Sequence, residues 1–136
     1  MNKINKLISG KRKTAIAKLR ITDGKGNIFY NHLPHSELGL FHKLALLEPI
    51  RIYQVELGSD LPYDFYIETK GGGKEGQLQA SRLAIAKALL HLTGSEVLKK
   101  AFIKYDRNMI VLDSRRKETR KPGDSKARAK RQKSFR

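Results

Sequence analysis

The stretch Gly71-Gly72-Gly73-Lys74-Glu75-Gly76-Gln77 sets how its neighbours are to be understood. Phe65-Tyr66-Ile67 enters it with strand-like bulk, and a helical pattern from Leu78 to Leu92 leaves it, giving strand, glycine turn, helix. Three consecutive glycines weaken either element if placed inside it. They belong where backbone bends unusually or approaches something closely. A helix starting just beyond them offers unpaired N–H groups and the positive end of its dipole, both suited to a phosphate.

Composition says which phosphate. The 136 residues hold 29 Lys plus Arg against 13 Asp plus Glu, a formal charge of +16. Such a balance opposes compaction by self-repulsion and points to a polyanionic partner, nucleic acid first. The length is that of one domain, and 39% apolar residues suffice for a single core. Cysteine is absent, which excludes disulfides, thiolate metal sites and thiol nucleophiles. His32 and His35 are close in sequence, but no third ligand type lies nearby, so no metal site is expected. No run approaches the ~18 apolar residues that span a bilayer, so no membrane partner is expected. Met1 to Ser9 is short for a signal or transit peptide, so the protein is expected to work where it is made.

Upstream of the glycines, Gly10-Lys11-Arg12-Lys13-Thr14 places three cations ahead of a strand. In that strand Ala15, Ala17, Leu19 and Ile21 alternate with Ile16, Lys18, Arg20 and Thr22, which puts Lys18 and Arg20 on one face. Asp23 to Asn27 reads as a turn, and Ile28-Phe29-Tyr30 as the returning strand of a hairpin. Pro34 and Ser36 mark a helix start with Ser36 as N-cap, and Pro49 is expected to end it. Ile50 to Leu57 holds no single period and reads as helix or strand.

Downstream, Leu78, Ile85, Leu89 and Leu92 form an apolar stripe, with Ala80, Lys87 and His91 assigned to the opposite face. Arg82 points along the stripe. It either snorkels to water or reaches back over the glycine turn to a phosphate. Thr93-Gly94 stops the helix, Ser95-Glu96 caps another through Lys104, and Met109 to Leu112 reads as a last strand. From residue 113 onward there are eleven cations and three anions, half of the formal charge, with Phe135 the only large apolar side chain. Residues 113–136 therefore read as a basic extended tail, disordered alone and ordered on RNA, following a globular RNA-binding domain at 1–112.

Two enzyme motifs come near the glycine stretch. Gly71, Gly73 and Gly76 fit G-x-G-x-x-G, but late in a short chain, and the Lys-Ser/Thr of a Walker loop is missing after Gly76. A small nucleotide-binding enzyme using Gly71 to Gly76, and a general basic DNA-binding protein, remain as alternatives.

Gly71-Gly72-Gly73-x-x-Gly76-Gln77-x-x-Ala80-x-Arg82-x-x-Ile85-x-Lys87-Ala88-Leu89 closely resembles the signature of the small ribosomal subunit protein nine family. Gly10 to Ala15 looks like that family's start, and Asp113 to Glu118 with Lys121, Gly123 and Lys126-Ala127-Arg128 like its basic tail. The resemblance implies an α+β domain, a mostly antiparallel sheet with helices packed on it, seated on ribosomal RNA of the small-subunit head beside neighbouring small-subunit proteins, without catalysis or cofactor. Together with the residue reading it assigns ribosomal RNA contacts to Lys11, Arg12, Lys13, Lys18, Gly71, Gly72, Gly73, Lys74, Gln77 and Arg82. In the tail it assigns them to Arg115, Arg116, Lys117, Arg120, Lys121, Lys126 and Arg128. By the same resemblance Lys133, Ser134, Phe135 and Arg136 would approach peptidyl-site tRNA. The family usually ends Pro-Gln-Phe-Ser-Lys-Arg, whereas here Phe and Lys have exchanged places around the serine, which allows stacking in place of a charge. The tail resembles the bacterial and plastid type, and frequent Lys, Ile and Asn suit an AT-rich organelle genome. The chloroplast stroma is thus preferred to the bacterial cytoplasm as the setting of its ribosome.

Overall fold

A computed structural model describes residues 6–134. Five strands form one sheet: β1 (Lys6–Arg12), β2 (Ala15–Asp23), β3 (Ile28–Tyr30), β4 (Leu33–Pro34) and β5 (Tyr63–Lys70), in the order β1-β2-β5-β3-β4. All pairs are antiparallel except β3 with β5. The helices are α1 (Leu40–Leu57), α2 (Lys74–Thr93) and α3 (Glu96–Tyr105). α2 lies against β1 and β2, α1 packs on α2, and α3 on α1. The expected α+β fold, a largely antiparallel sheet with helices packed on it, is what the chain adopts.

The alternation of β2 places its residues as expected. Ala15, Ala17, Leu19 and Ile21 are fully buried, while Ile16, Lys18 and Arg20 are exposed. Phe65 and Ile67 of β5 join the inner face. Each fully buried Leu, Ile or Phe contributes roughly 1.5 to 3 kcal/mol relative to exposure. Among the described residues, no helix lies on the other face of the sheet.

Several expected elements differ. β1 was not anticipated, because its inner face carries Gly10 where a strand normally shows an apolar side chain. A Cβ on Gly10 would stand 2.1 Å from the Ala80 carbonyl oxygen and 2.8 Å from the Ala84 amide nitrogen. Ala80, expected on the polar side of its helix, is therefore fully buried against β1. α2 is enclosed around most of its girth, so its polar face is narrower than the stripe suggested.

Ile28 to Tyr30 is not the return strand of a hairpin with β2. β5 inserts between them, because Asp64 captures the connecting loop. Its Oδ1 accepts the backbone N–H groups of Lys25 (2.9 Å) and Asn27 (2.8 Å), while the Phe65 N–H donates to the Asn27 carbonyl. Although burial raises the Asp64 pKa, hydrogen bonds from Asn27, Lys25 and Gly26 outweigh it and hold the carboxyl below its ordinary value.

Pro49 does not end α1. Leu46, Pro49, Ile50 and Tyr53 share one buried face, and that packing outweighs the hydrogen bond Pro49 cannot donate to Ala45. Ser36 lies in a 3-10 turn instead of capping; Gly39 precedes α1. Ser95 does cap α3, accepting from the Leu98 N–H, and Gly94 ends α2 in the left-handed region. Met109 to Leu112 forms no strand. Asp106 accepts from the Asn108 N–H and the Arg107 carbonyl accepts from Ile110 and Val111, winding the segment into a tight 3-10 turn.

Gly10→Ala is expected to lose about 1 to 3 kcal/mol of stability in urea unfolding, because the methyl meets helix backbone that cannot yield. Gly39→Ala, with nothing within 4 Å of the added carbon, serves as the neutral control. The stability Asp64 contributes is present above its unfolded pKa of ~3.9 and lost as pH falls through the lower folded value. Asp64→Asn should therefore be less stable at neutral pH and lose less stability on acidification, read from unfolding midpoints across pH.

Candidate nucleic-acid interface

The two motifs that stood far apart in sequence meet in space. The β1–β2 turn, Lys13-Thr14, abuts the glycine turn between β5 and α2. Lys13 holds φ 53°, a left-handed conformation uncommon for a side-chain-bearing residue, at the exposed apex of the hairpin. Gly71 (φ 75°) and Gly72 (φ 68°) are also left-handed. A Cβ would approach the Thr14 carbonyl oxygen to 2.7 Å at Gly71 and Ala15 Cβ to 3.0 Å at Gly72. The close approach expected of these glycines is thus first an approach to the protein's own hairpin.

Gly73 is different. It precedes α2 at φ −106°, with nothing within 4 Å of an added Cβ and no side chain capping the helix. Neither strain nor space calls for glycine there. Its effect is to leave the first N–H groups of α2 uncovered beside Lys74. Gly76, expected in the turn, lies inside α2, where an added Cβ would stand 3.5 Å from Ala15 Cβ. Gln77 braces the turn by donating its side-chain amide to the Gly71 carbonyl (3.1 Å). Glu75, the one acid in the first helical turn, approaches His42 of α1 at 3.2 Å.

Arg12, Lys13, Gly72, Gly73 and Lys74 line a cleft of about 570 Å³. A smaller cavity of about 160 Å³ continues from it past Arg12 and Gln79 to Arg82, Asp106 and Asp113. Arg82 lines this second cavity and does not turn back over the glycines. Its guanidinium pairs with Glu48 of α1 and with Asp106 (3.1 Å), which ties α1, α2 and the end of α3 together. Tyr105 donates to the same Glu48, whose bond and charge raise the tyrosine pKa.

Asp113 was missed as an anchor. Only 8% of its side chain is exposed, and it pairs with Arg12 of the hairpin and with Arg115 at 2.8 Å. A lone acid at the head of a basic run is the signal that could have revealed it. Beyond it the described residues form neither helix nor strand, and Arg116, Lys117, Arg120, Lys121, Lys126, Lys133 and Ser134 are exposed. Arg128 pairs with Glu118 at 2.6 Å. Lys18 stands on the open sheet face, away from the cleft. Phe135 and Arg136 lie outside the described residues.

A basic hairpin and a glycine turn meet at one cleft, and the basic tail is joined to that hairpin through the Arg12–Asp113 pair. The family described as ribosomal protein S9/S16 matches residues 10–136, spanning all three. The chain belongs to this family. A protein of Methanococcus vannielii named small ribosomal subunit protein uS9 is 42% identical over 130 residues, covering 93% of this chain and 95% of its own length. Proteins of the same name from Methanothrix thermoacetophila and Methanococcus maripaludis are 42% and 43% identical over 94% and 93% of this chain, and over 96% and 95% of their own lengths.

The role of the chain is therefore structural and ribosomal, in the small subunit, and not enzymatic. The G-x-G-x-x-G match fails structurally as well, because Gly76 is helical and no strand follows α2 among the described residues. The plastid setting and the bacterial or plastid tail type are not supported, since these relatives are archaeal. A bias toward Lys and Ile tracks the base composition of codons, which is not peculiar to organelles, and Asn, at five of 136 residues, shows no such bias.

Gly72→Ala is expected to destabilise the fold by ~1 to 2 kcal/mol for the left-handed conformation alone. Gly73→Ala should stay within ~0.5 kcal/mol of wild type. Thermal unfolding of the two variants side by side checks the contrast.

Proposed function

We propose that the folded domain at 1–112 holds ribosomal RNA of the small-subunit head between the hairpin turn and the glycine turn. The tail at 113–136 runs along RNA toward peptidyl-site tRNA. The observation that carries this reading is the cleft in which Arg12, Lys13 and Lys74 surround the uncovered start of α2 at Gly73. Phosphates enter there by charge and backbone N–H groups, so recognition is by shape and phosphate more than by base sequence. Gly71 and Gly72 act by letting the two turns meet, Gln77 by bracing them, and Arg82 by fixing the helices behind the cleft.

Asp113 starts the tail from Arg12, so RNA held at the hairpin and RNA along the tail form one path. Arg115, Arg116, Lys117, Arg120, Lys121, Lys126 and Arg128 supply phosphate contacts along it, and the tail orders as counterions are released. Lys133 and Ser134, with Phe135 and Arg136 beyond the described residues, reach the tRNA. Neighbouring small-subunit proteins complete its surroundings.

In a sucrose gradient the protein should comigrate with the small subunit through a salt wash that strips loosely held basic proteins. Recovery at the top of the gradient would overturn the reading. Gly73→Asp should keep the fold, since aspartate caps helices well, yet weaken RNA binding by placing an anion where a phosphate sits. Removal of residues 125–136 should leave the domain folded and subunit assembly largely intact while weakening peptidyl-site tRNA binding, read by filter retention of tRNA on purified subunits.

A further inference from the structure

We propose a second RNA contact, on the open face of the sheet, that takes unpaired bases. It rests on the RNA-binding reading above and lies apart from the cleft. Strand pairing puts Leu7, Arg20, Tyr66 and Phe29 in one row across four strands. The Phe29 and Tyr66 rings are stacked, with centroids 4.8 Å apart and planes within 8°. That separation equals the spacing of neighbouring strands, so the rings stand upright on the sheet as a stack of two, with Arg20 next in the row. Two residues along, the next row sets Lys18 between Ser9 and Glu68; beyond it Ile16 lies between Lys11 and Lys70.

No helix among the described residues covers these rows. Tyr66 is 42% exposed, Ile16 41% and Leu7 63%. The occupant follows from charge and shape together. Lys11, Lys18, Arg20 and Lys70 outnumber Glu68 and the loop-bound Asp64 on this face, which complements a polyanion. Another exposed apolar surface, between α1 and α3, is balanced, with Glu48 and Glu56 against Arg51 and Lys104. A duplex keeps its bases stacked on one another and offers the rings nothing flat. A loop, bulge or junction with splayed bases can extend the Tyr66–Phe29 stack while its phosphates meet Arg20, Lys18 and Lys11.

The test uses the full chain and two labelled RNAs of equal length, one a hairpin with a single-stranded loop and one a blunt duplex, with binding followed by anisotropy. Tyr66→Thr keeps a strand-forming residue at an exposed position, and its fold is verified by circular dichroism. Its affinity for the loop RNA should fall about tenfold, with duplex affinity within about twofold of wild type. Its salt dependence should not change, because no cation is lost. Arg20→Gln should lower the slope of log affinity against log salt by about one for both RNAs. Wild-type affinity of Tyr66→Thr for the loop RNA, or an equal loss on both RNAs, would overturn the sheet-face site and leave the cleft standing. Binding of neither RNA by the wild type would overturn the RNA-binding reading itself.

Discussion

The structure depends on how closely β1 and α2 approach through Gly10. With the Ala80 carbonyl 2.1 Å from where a Cβ would stand, the strand and helix touch backbone to backbone, and no larger residue fits at the crossing. Ala80, Ala84, Ala15 and Ala17 are fully buried around this layer, so small side chains set its thickness. The β1–β2 hairpin is thereby pressed along α2 until its turn meets the glycine turn at the start of the same helix. Packing this tight is sensitive to a single methyl group, unlike a layer filled by adaptable long chains.

From that approach follows the division of labour among the glycines. Gly71 and Gly72 serve the fold, because left-handed backbone and the nearness of Thr14 and Ala15 exclude side chains. Gly73 stands in open space, where neither the fold nor its backbone conformation requires a glycine. The basic residues divide similarly. Arg82 and Arg12 are engaged by acids that join elements, Glu48, Asp106 and Asp113, whereas Lys13 and Lys74 stand exposed at the mouth of the cleft. A partly buried guanidinium with two carboxylates is a joint. Removing one of those carboxylates would leave a charge poorly compensated.

The high net charge is also distributed with a consequence for folding. The inner face of the sheet and the interior of α2 carry almost none of it, and Ser81 is the only buried polar residue of the described chain. Its hydroxyl donates to the Gln77 carbonyl within α2. The repulsion expected of +16 is placed on the hairpin apex, the open sheet face and the tail, where water and salt screen it.

Sequence alone determined what is periodic or compositional. The alternation of β2, the α2 helix after the glycines, the Ser95 and Gly94 caps and the basic tail were all legible, because each depends on neighbours along the chain. Signature residues made the family legible too. What only the tertiary structure decided are the relations set across space. β5 separates β2 from β3 because Asp64 holds a loop thirty-nine residues back in sequence. α1 runs through Pro49 because one buried face outweighs a lost hydrogen bond, and β1 is hidden from pattern reading by the glycine that α2 requires. Arg82 lies on a helix face that sequence showed, but its acids come from α1 and from beyond α3, and no spacing along α2 could reveal them. Local periodicity reports which face of an element is apolar. Which element meets that face is set by packing alone.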